Sequence, residues 1–468
     1  MTYGMSSHTL PPQPDIQLHV DLDADLRPHR SAKIEAHLQV DVAADSAPVD
    51  LPAVELAVII AVDVAEANRS AVRHALPTAL RALPDGISFT VLGSGPEPVR
   101  CYPRGEAEWA VADHAEKRRA VFAAGALPLH RDGPRPAGYA VWAAGARALL
   151  TGRPLSVRHL VLITDGSSAP GETRLEEELE VCAGQFTCDV FAVGTEWNPD
   201  PLLALAERLH GTAEFVDERL GGAVTGAIER LRRVYTPQLP IEVTVRPSVR
   251  QVSLSEKAPR PRRLGALPQP DLPHRWSFPT YQWQEQGRRD YLLTLVADAD
   301  ADPLETDLQF AMVSIGDVHA PVVARWHRPG PAPAHASAGA DSVRFLTGTA
   351  VMRNALRQGL EALQKGQRDV AERCLGQAAS MAEKFDADWV LGEIREVADI
   401  EDAAAGRVRL PTAVDSGALR PMILRAGSYP GGTLTDAVFP RPGPRCRHCS
   451  TAAGSEARYC IVCGKELL

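Results

Sequence analysis

The hydrophobic positions follow two periods along the chain, and the places where the period changes divide it into units. Residues 15–23 put Ile16, Leu18, Val20 and Leu22 on one side, and residues 32–43 do the same with Ile34, Ala36, Leu38, Val40 and Val42. A period of two predicts half-buried strands. The stretch 54–63, VELAVIIAVD, is apolar without alternation and ends in Asp63. That pattern suits a strand covered on both faces, as in a parallel sheet. Residues 157–165, VRHLVLITD, repeat it and end in Asp165. Helical stretches lie near 69–83, 106–124, 138–151, 172–184, 200–210 and 217–234, with strands at 87–92, 188–194 and 213–216 and a short edge strand near 99–102. Strands alternating with helices over 52–235 predict a doubly wound α/β domain.

Beyond Tyr235 the helical period stops. Segments within 240–247, 249–256, 290–298, 308–315 and 321–327 read as short strands, which predicts an antiparallel β-sandwich over 236–327. Isolated strands need a sheet to join, so residues 15–51 are expected to complete that sandwich, with the α/β domain inserted between. A Pro- and Ala-rich linker follows at 328–341. Amphipathic stretches at 350–366 and 369–385 predict an antiparallel helical hairpin, and 388–401 a third helix, within a helical domain at 342–410. Residues 1–14 read as a disordered N-terminus, and the Pro- and Gly-rich 411–445 as a flexible tether.

Composition narrows the function classes. The 468 residues suffice for about two to four domains. Net charge is -9 and Lys and Arg are scattered, which argues against nucleic acid, since phosphate backbones need a concentrated basic face. The sequence has no apolar run of about 18 residues, so no membrane span is expected. The opening residues lack a basic start and an apolar core, which predicts a cytoplasmic protein whose eight cysteines are thiols or metal ligands.

The most specific chemical signal is Cys446-x2-Cys449-x10-Cys460-x2-Cys463. Two such pairs can clasp a tetrahedral ion, and four thiolates in a reducing compartment suit structural Zn²⁺. Residues 446–468 thus read as a zinc ribbon whose folding energy comes mostly from the metal. A redox pair is the alternative, but no adjacent α/β pattern supports it. His448 lies between the ligands and could replace one. Cys182 and Cys188 read as small buried thiols.

Asp63 and Asp165 end two parallel strands, where open α/β sheets bind ligands. The apolar strand ending in Asp63, the LITDG at 162–166 and the strand–helix order resemble the von Willebrand factor A (vWA) family. The layout as a whole is similar to actinobacterial vWA proteins with flanking β-strands, a helical segment and a terminal zinc ribbon. The resemblance implies a Rossmann-like fold and a metal site, the MIDAS, built from an Asp-x-Ser-x-Ser loop, a Thr in a Gly-Thr turn and the Asp of Thr-Asp-Gly. Here Ala65 and Ala67 stand at the serine positions and Tyr139, after Gly138, at the threonine position. Only Asp63 and Asp165 match. Mg²⁺ needs more oxygen ligands than these two carboxylates, so the ligand count favours a metal-free scaffold over a retained weak Mg²⁺ site. Without a cation, one carboxylate is expected to take a proton or find a basic neighbour. Glu66 and Asn68 are possible replacement ligands.

The resemblance implies a non-enzymatic adaptor or scaffold whose partner surface spans 63–68, 132–139 and 165–170. Ser/Thr kinase or phosphatase signalling components are the partners it suggests. An accessory subunit of an ATPase or chaperone-like complex is the alternative. No nucleophile–base set, Gly-rich phosphate loop or His-Glu metal helix marks an enzyme. The acidic segments 21–25 and 298–303 lack the Gly and Glu of a calcium loop.

Overall fold

The computed structural model describes residues 15–23, 26, 32–43, 56–129, 138–151, 157–166, 172–299, 302–328 and 340–428, apart from a few single positions and short loops. The chain starts with an antiparallel pair, β1 (Asp15–Asp23) and β2 (Ala32–Ala43). The α/β unit follows. Its first strand, β3 (Leu56–Asp63), leads to α1 (Arg69–Ala82), β4 (Ser88–Gly93), β5 (Val99–Tyr102) and β6 (Ala110–Val111). Next come α2 (His114–Ala124), α3 (Tyr139–Leu150), β7 (Val157–Thr164), α4 (Glu172–Cys182), β8 (Thr187–Ala192), α5 (Pro199–Arg208), β9 (Ala213–Phe215) and α6 (Leu220–Arg232).

The sheet order is β5-β4-β3-β7-β8-β9; β3, β4, β7, β8 and β9 run parallel, and β5 and β6 pair antiparallel with β4. Strand β3 is buried at every position, yet its side chains still alternate. Leu56, Val58, Ile60 and Val62 join a cluster with α1, α2 and α6, while Ala57, Ile59 and Ala61 join one with α3, α4 and α5. Helices on both faces explain why the sequence shows a continuous apolar run there instead of a period of two. Strand order reverses between β4 and β7 around β3, so the crevice of this sheet opens at the C-terminal ends of β3 and β7.

After α6 the chain forms β10 (Val234–Gln238), β11 (Ile241–Val245), β12 (Val249–Ala258), β13 (Arg262–Leu264), β14 (Arg275–Phe278), β15 (Tyr281–Gln284), β16 (Gly287–Ala297), β17 (Asp307–Ile315) and β18 (Val318–Arg325). Two antiparallel sheets result, β1-β2-β16-β12-β13 and β14-β11-β17-β18, and one hydrophobic cluster spans both. The pairing of β2 with β16 over eleven residues joins the N-terminal strands to strands beyond the α/β unit. Strands β10, β13, β14 and β15 were not expected; each has five residues or fewer, too few to show a clear period.

Three corrections concern the C-terminal part. Helix α7 (Ala340–Gln364) begins inside the segment expected as linker 328–341, and it packs along α8 (Arg368–Lys384). The helix expected at 388–401 ends early, as α9 (Asp388–Arg395), and a hairpin of β19 (Asp399–Asp402) and β20 (Arg407–Arg409) follows. Residues 403–406, AAAG, supply its turn, with Gly406 at φ +67°. The expected tether 411–445 contains α10 (Ser416–Ser428). Its Leu419, Met422, Ile423 and Ala426 are spaced as one helical face and are buried against the helical unit, while Leu424 enters the α/β cluster. Pro421 and the flanking glycines obscured that pattern. In the α/β unit, the stretch 106–124 is helical only from His114, where Asp113 caps the helix by accepting from the Glu116 N–H at 2.7 Å. No helix among the described residues is long and apolar enough to cross a membrane.

Candidate functional site

The parallel register sets Asp63 beside Thr164, not beside Asp165. Both residues of this pair have no solvent exposure, and Asp165 is 2% exposed. Thr164 Oγ1 donates to Asp63 Oδ2 at 2.9 Å. The Gly166 N–H donates to the same hydroxyl oxygen at 3.1 Å, and the Tyr139 hydroxyl lies 3.3 Å from it. A threonine hydroxyl has one proton, and Asp63 takes it, so Tyr139 is the donor in the last contact. Tyr139 is itself buried at the first turn of α3. Burial, and then the charge of Asp63, pushes its phenol well above its ordinary range and keeps it protonated.

Asp165 has its own donors. Its Oδ2 accepts from the Ala65 N–H at 2.8 Å and from Asn68 Nδ2 at 2.7 Å. The backbone also ties the two strand ends, through Asp165 N–H to the Asp63 carbonyl at 3.2 Å. Neutral hydroxyl, peptide and amide donors thus serve an oxygen of each carboxylate. Asn68 is present as a hydrogen-bond donor. Glu66 is exposed and engages Arg69 in a two-pronged ion pair at 2.7 and 2.8 Å. The turn after Asp165 requires glycine: Gly166 has φ +82°, and a Cβ there would sit 2.4 Å from the Trp197 Cα.

The structure thus brings Asp63, Asp165, Tyr139 and the Ala65 backbone into one network, and adds Thr164 and Asn68. Thr164 is not among the residues that the sequence pattern singles out, because it lies inside the apolar run 157–165. Strands that ended level at the two aspartates would have set Asp165 beside Asp63; the register is offset by one residue and sets Thr164 there instead. Residues 132–137 and 167–170 of the expected partner surface, and Cys446, Cys449, Cys460 and Cys463, lie outside the described residues. Among the described residues no group of three or more His, Cys, Asp or Glu could hold a metal ion. Cys101, Cys182 and Cys188 are buried, and burial raises each thiol, Cys182 to about 12 with help from Glu178.

The opposite end of the sheet carries a second polar group. Asp189, at 3% exposure, accepts from the Thr212 N–H and hydroxyl, both at 2.8 Å, with His159 Nε2 and Arg230 Nη2 each 3.5 Å away. Burial alone would raise this carboxyl, but the His159 hydrogen bond and charge, with Arg260 and Arg230, hold it well below the usual range. Nearby, His210 packs on Tyr281 with ring centres 4.5 Å apart; burial, then Arg262 and Arg289, push its imidazole well below its ordinary value.

Comparison with known proteins accords with this architecture. The profile of the von Willebrand factor type A domain matches residues 56–215, and the chain carries a vWA domain there. No curated protein sequence matches the chain. Among solved structures it is similar to a von Willebrand factor type A protein from Catenulispora acidiphila, at 21% identity and TM-score 0.74, over 90% of this chain and 98% of that one. It is also similar to the ArnB paralog VWA2 from Sulfolobus acidocaldarius, at 11% identity and TM-score 0.51, over 89% and 99%. At these identities the likeness is one of fold, and it extends well beyond the α/β unit.

Proposed function

We propose that this chain, built around a vWA domain, is a non-enzymatic adaptor that binds a protein partner at the C-terminal edge of its parallel sheet without a magnesium ion. Domains of this type generally mediate protein interactions. The observation that carries the metal-free part is the donor set. Mg²⁺ requires near-octahedral oxygen coordination at about 2.0–2.1 Å. Here an oxygen of each aspartate faces protein hydrogens, and a cation would have to displace them. Ala65 and Ala67 have no side-chain oxygen, and the Tyr139 hydroxyl is sealed against Thr164. The residues present do not fit the ion. The hydroxyl–carboxylate couple Thr164–Asp63 has no exposure, so no substrate reaches it, in keeping with binding in place of catalysis.

Glu66 and Glu196 are exposed in loops that follow β3 and β8, at the rim of this edge. Tagged full-length protein should capture the same partner from its source cell in Mg²⁺ and in excess chelator, and Glu66→Arg/Glu196→Arg should lose it. A partner held only with Mg²⁺, or held equally by the rim variant, overturns the proposal. A signalling context involving protein kinases or phosphatases is the setting in which the captured partners are to be sought.

The same proposal assigns structural zinc to Cys446, Cys449, Cys460 and Cys463, on their spacing. Metal analysis should find about one zinc per chain and its loss in Cys460→Ser/Cys463→Ser. A zinc-free, disulfide-bonded tail would refute the assignment.

A further inference from the structure

Where the α/β unit, the antiparallel sheets and the helical unit meet, two adjoining cavities of about 180 and 290 Å³ share Arg262 and Arg357 in their walls. The second is near the low end of small-molecule sites, about 300–1,000 Å³. Lys257, Arg260, Arg262, Arg263, Arg353 and Arg357 line the pair, against two carboxylates, Glu207 and Glu256. Along the sequence these cations belong to two distant segments; the fold collects them. Like charges drawn together in a partly desolvated cleft repel unless an anion offsets them. Arg260 registers that cost: burial first, then the charges of Arg262 and Arg230, bring its guanidinium down to about 10, although Asp189 opposes the shift.

The internal partners are incomplete. Arg262, 8% exposed, donates from Nε to Glu256 Oε2 at 2.7 Å. Its Nη1 is buried without a hydrogen-bond partner among the described residues, and so is Glu256 Oε1. Glu256 is 1% exposed. Leaving a buried donor or acceptor unsatisfied is destabilising, and more so for a charged group. Both residues line the second cavity, so an unused charged donor and an unused carboxylate acceptor lie beside it. A ligand that satisfies both needs an acceptor for the guanidinium and a donor for the carboxylate, and among anions only one that still carries a proton has both.

We propose that the cleft binds hydrogen phosphate, with Arg262 Nη1 donating to a phosphate oxygen and Glu256 Oε1 accepting from its P–OH. Arg353 and Arg357 supply further positive charge from α7. Sulfate has the same shape but no proton at neutral pH, so Glu256 rejects it. A phosphate monoester, whose second pKa is about 6, is mostly without that proton at pH 7.5 and binds less well. The site lies away from the C-terminal edge and is independent of partner binding there.

Isothermal titration of full-length protein at pH 7.5 with inorganic phosphate, sulfate and O-phosphoserine tests this. Phosphate should bind with a dissociation constant below about 1 mM, and sulfate at least about tenfold more weakly. Arg357 is 37% exposed in its side chain and pairs with Glu361 on its own helix, so Arg357→Glu should fold and weaken phosphate binding at least about tenfold. Glu256→Gln should narrow the phosphate–sulfate gap. No saturable phosphate heat, equal binding of sulfate, or an Arg357→Glu protein that binds like wild type overturns the proposal. Tighter binding of phosphoserine than of phosphate overturns the free-ion assignment.

Discussion

The two ends of the parallel sheet handle buried polar groups differently. At the C-terminal edge, Asp63 and Asp165 accept from a hydroxyl, a peptide N–H and a side-chain amide. All of these donors are neutral and come from the loops and strands of the α/β unit itself. At the opposite end, Asp189 lies among His159, Arg230 and Arg260, and the last of these arrives from the antiparallel sheets. Neutral donors settle a carboxylate locally and need no neighbour. Charged ones link parts of the chain that are distant in sequence. One edge is thus completed within the α/β unit, while the other is tied to the antiparallel sheets.

Substitutions can break each end in turn. Asp189→Ala should have the largest effect, destabilising by about 3–5 kcal/mol, because the Thr212 N–H and hydroxyl and the guanidiniums of Arg230 and Arg260 lose a buried carboxylate. Urea unfolding measures it, and a loss below about 1 kcal/mol would mean that the end is held by packing alone. Thr164→Val should cost about 1–3 kcal/mol, since Asp63 loses a donor inside a sealed site. Mg²⁺ should not restore the loss; a Mg²⁺-dependent recovery would show that the ion can replace the hydroxyl.

The smallest effect is one of pH. His210 is held neutral in the fold, so its folded pKa lies below the unfolded value near 6.5. The unfolded chain then binds the proton first. Its contribution is fully present above about pH 6.5 and declines as the pH falls from there toward the depressed folded value. Asp189, also depressed, adds a loss only below its unfolded value of about 3.9. The melting temperature should therefore drop between pH 7.5 and 5, and His210→Gln should flatten that slope. An unchanged slope would place the acid sensitivity elsewhere.

The comparison also marks what the sequence could reveal. The apolar runs at 54–63 and 157–165 exposed the parallel sheet and the position of its two aspartates, because strands buried on both faces have no competing pattern. The partners of those aspartates were less legible. Thr164 is set by register between strands a hundred residues apart, and the Ala65 N–H by loop conformation, and neither leaves a spacing in the sequence. Helix α10 was hidden because Pro421 and Gly417 suggested a tether, while burial of Leu419, Met422, Ile423 and Leu424 against two units decided otherwise. The basic cleft was missed for a related reason. Lys257–Arg263 and Arg353–Arg357 are far apart in the chain, and only the packing of β12, β13 and α7 makes them one surface.

The most direct measurement is a calorimetric titration of Mg²⁺ into the full-length protein, wild type beside Asp63→Ala/Asp165→Ala, with folding checked by circular dichroism. The expected result is no saturable Mg²⁺ binding in either protein. A saturable wild-type isotherm with a dissociation constant below about 1 mM, abolished in the double variant, would show that the two aspartates release their protein donors to a cation and would contradict metal-independent recognition.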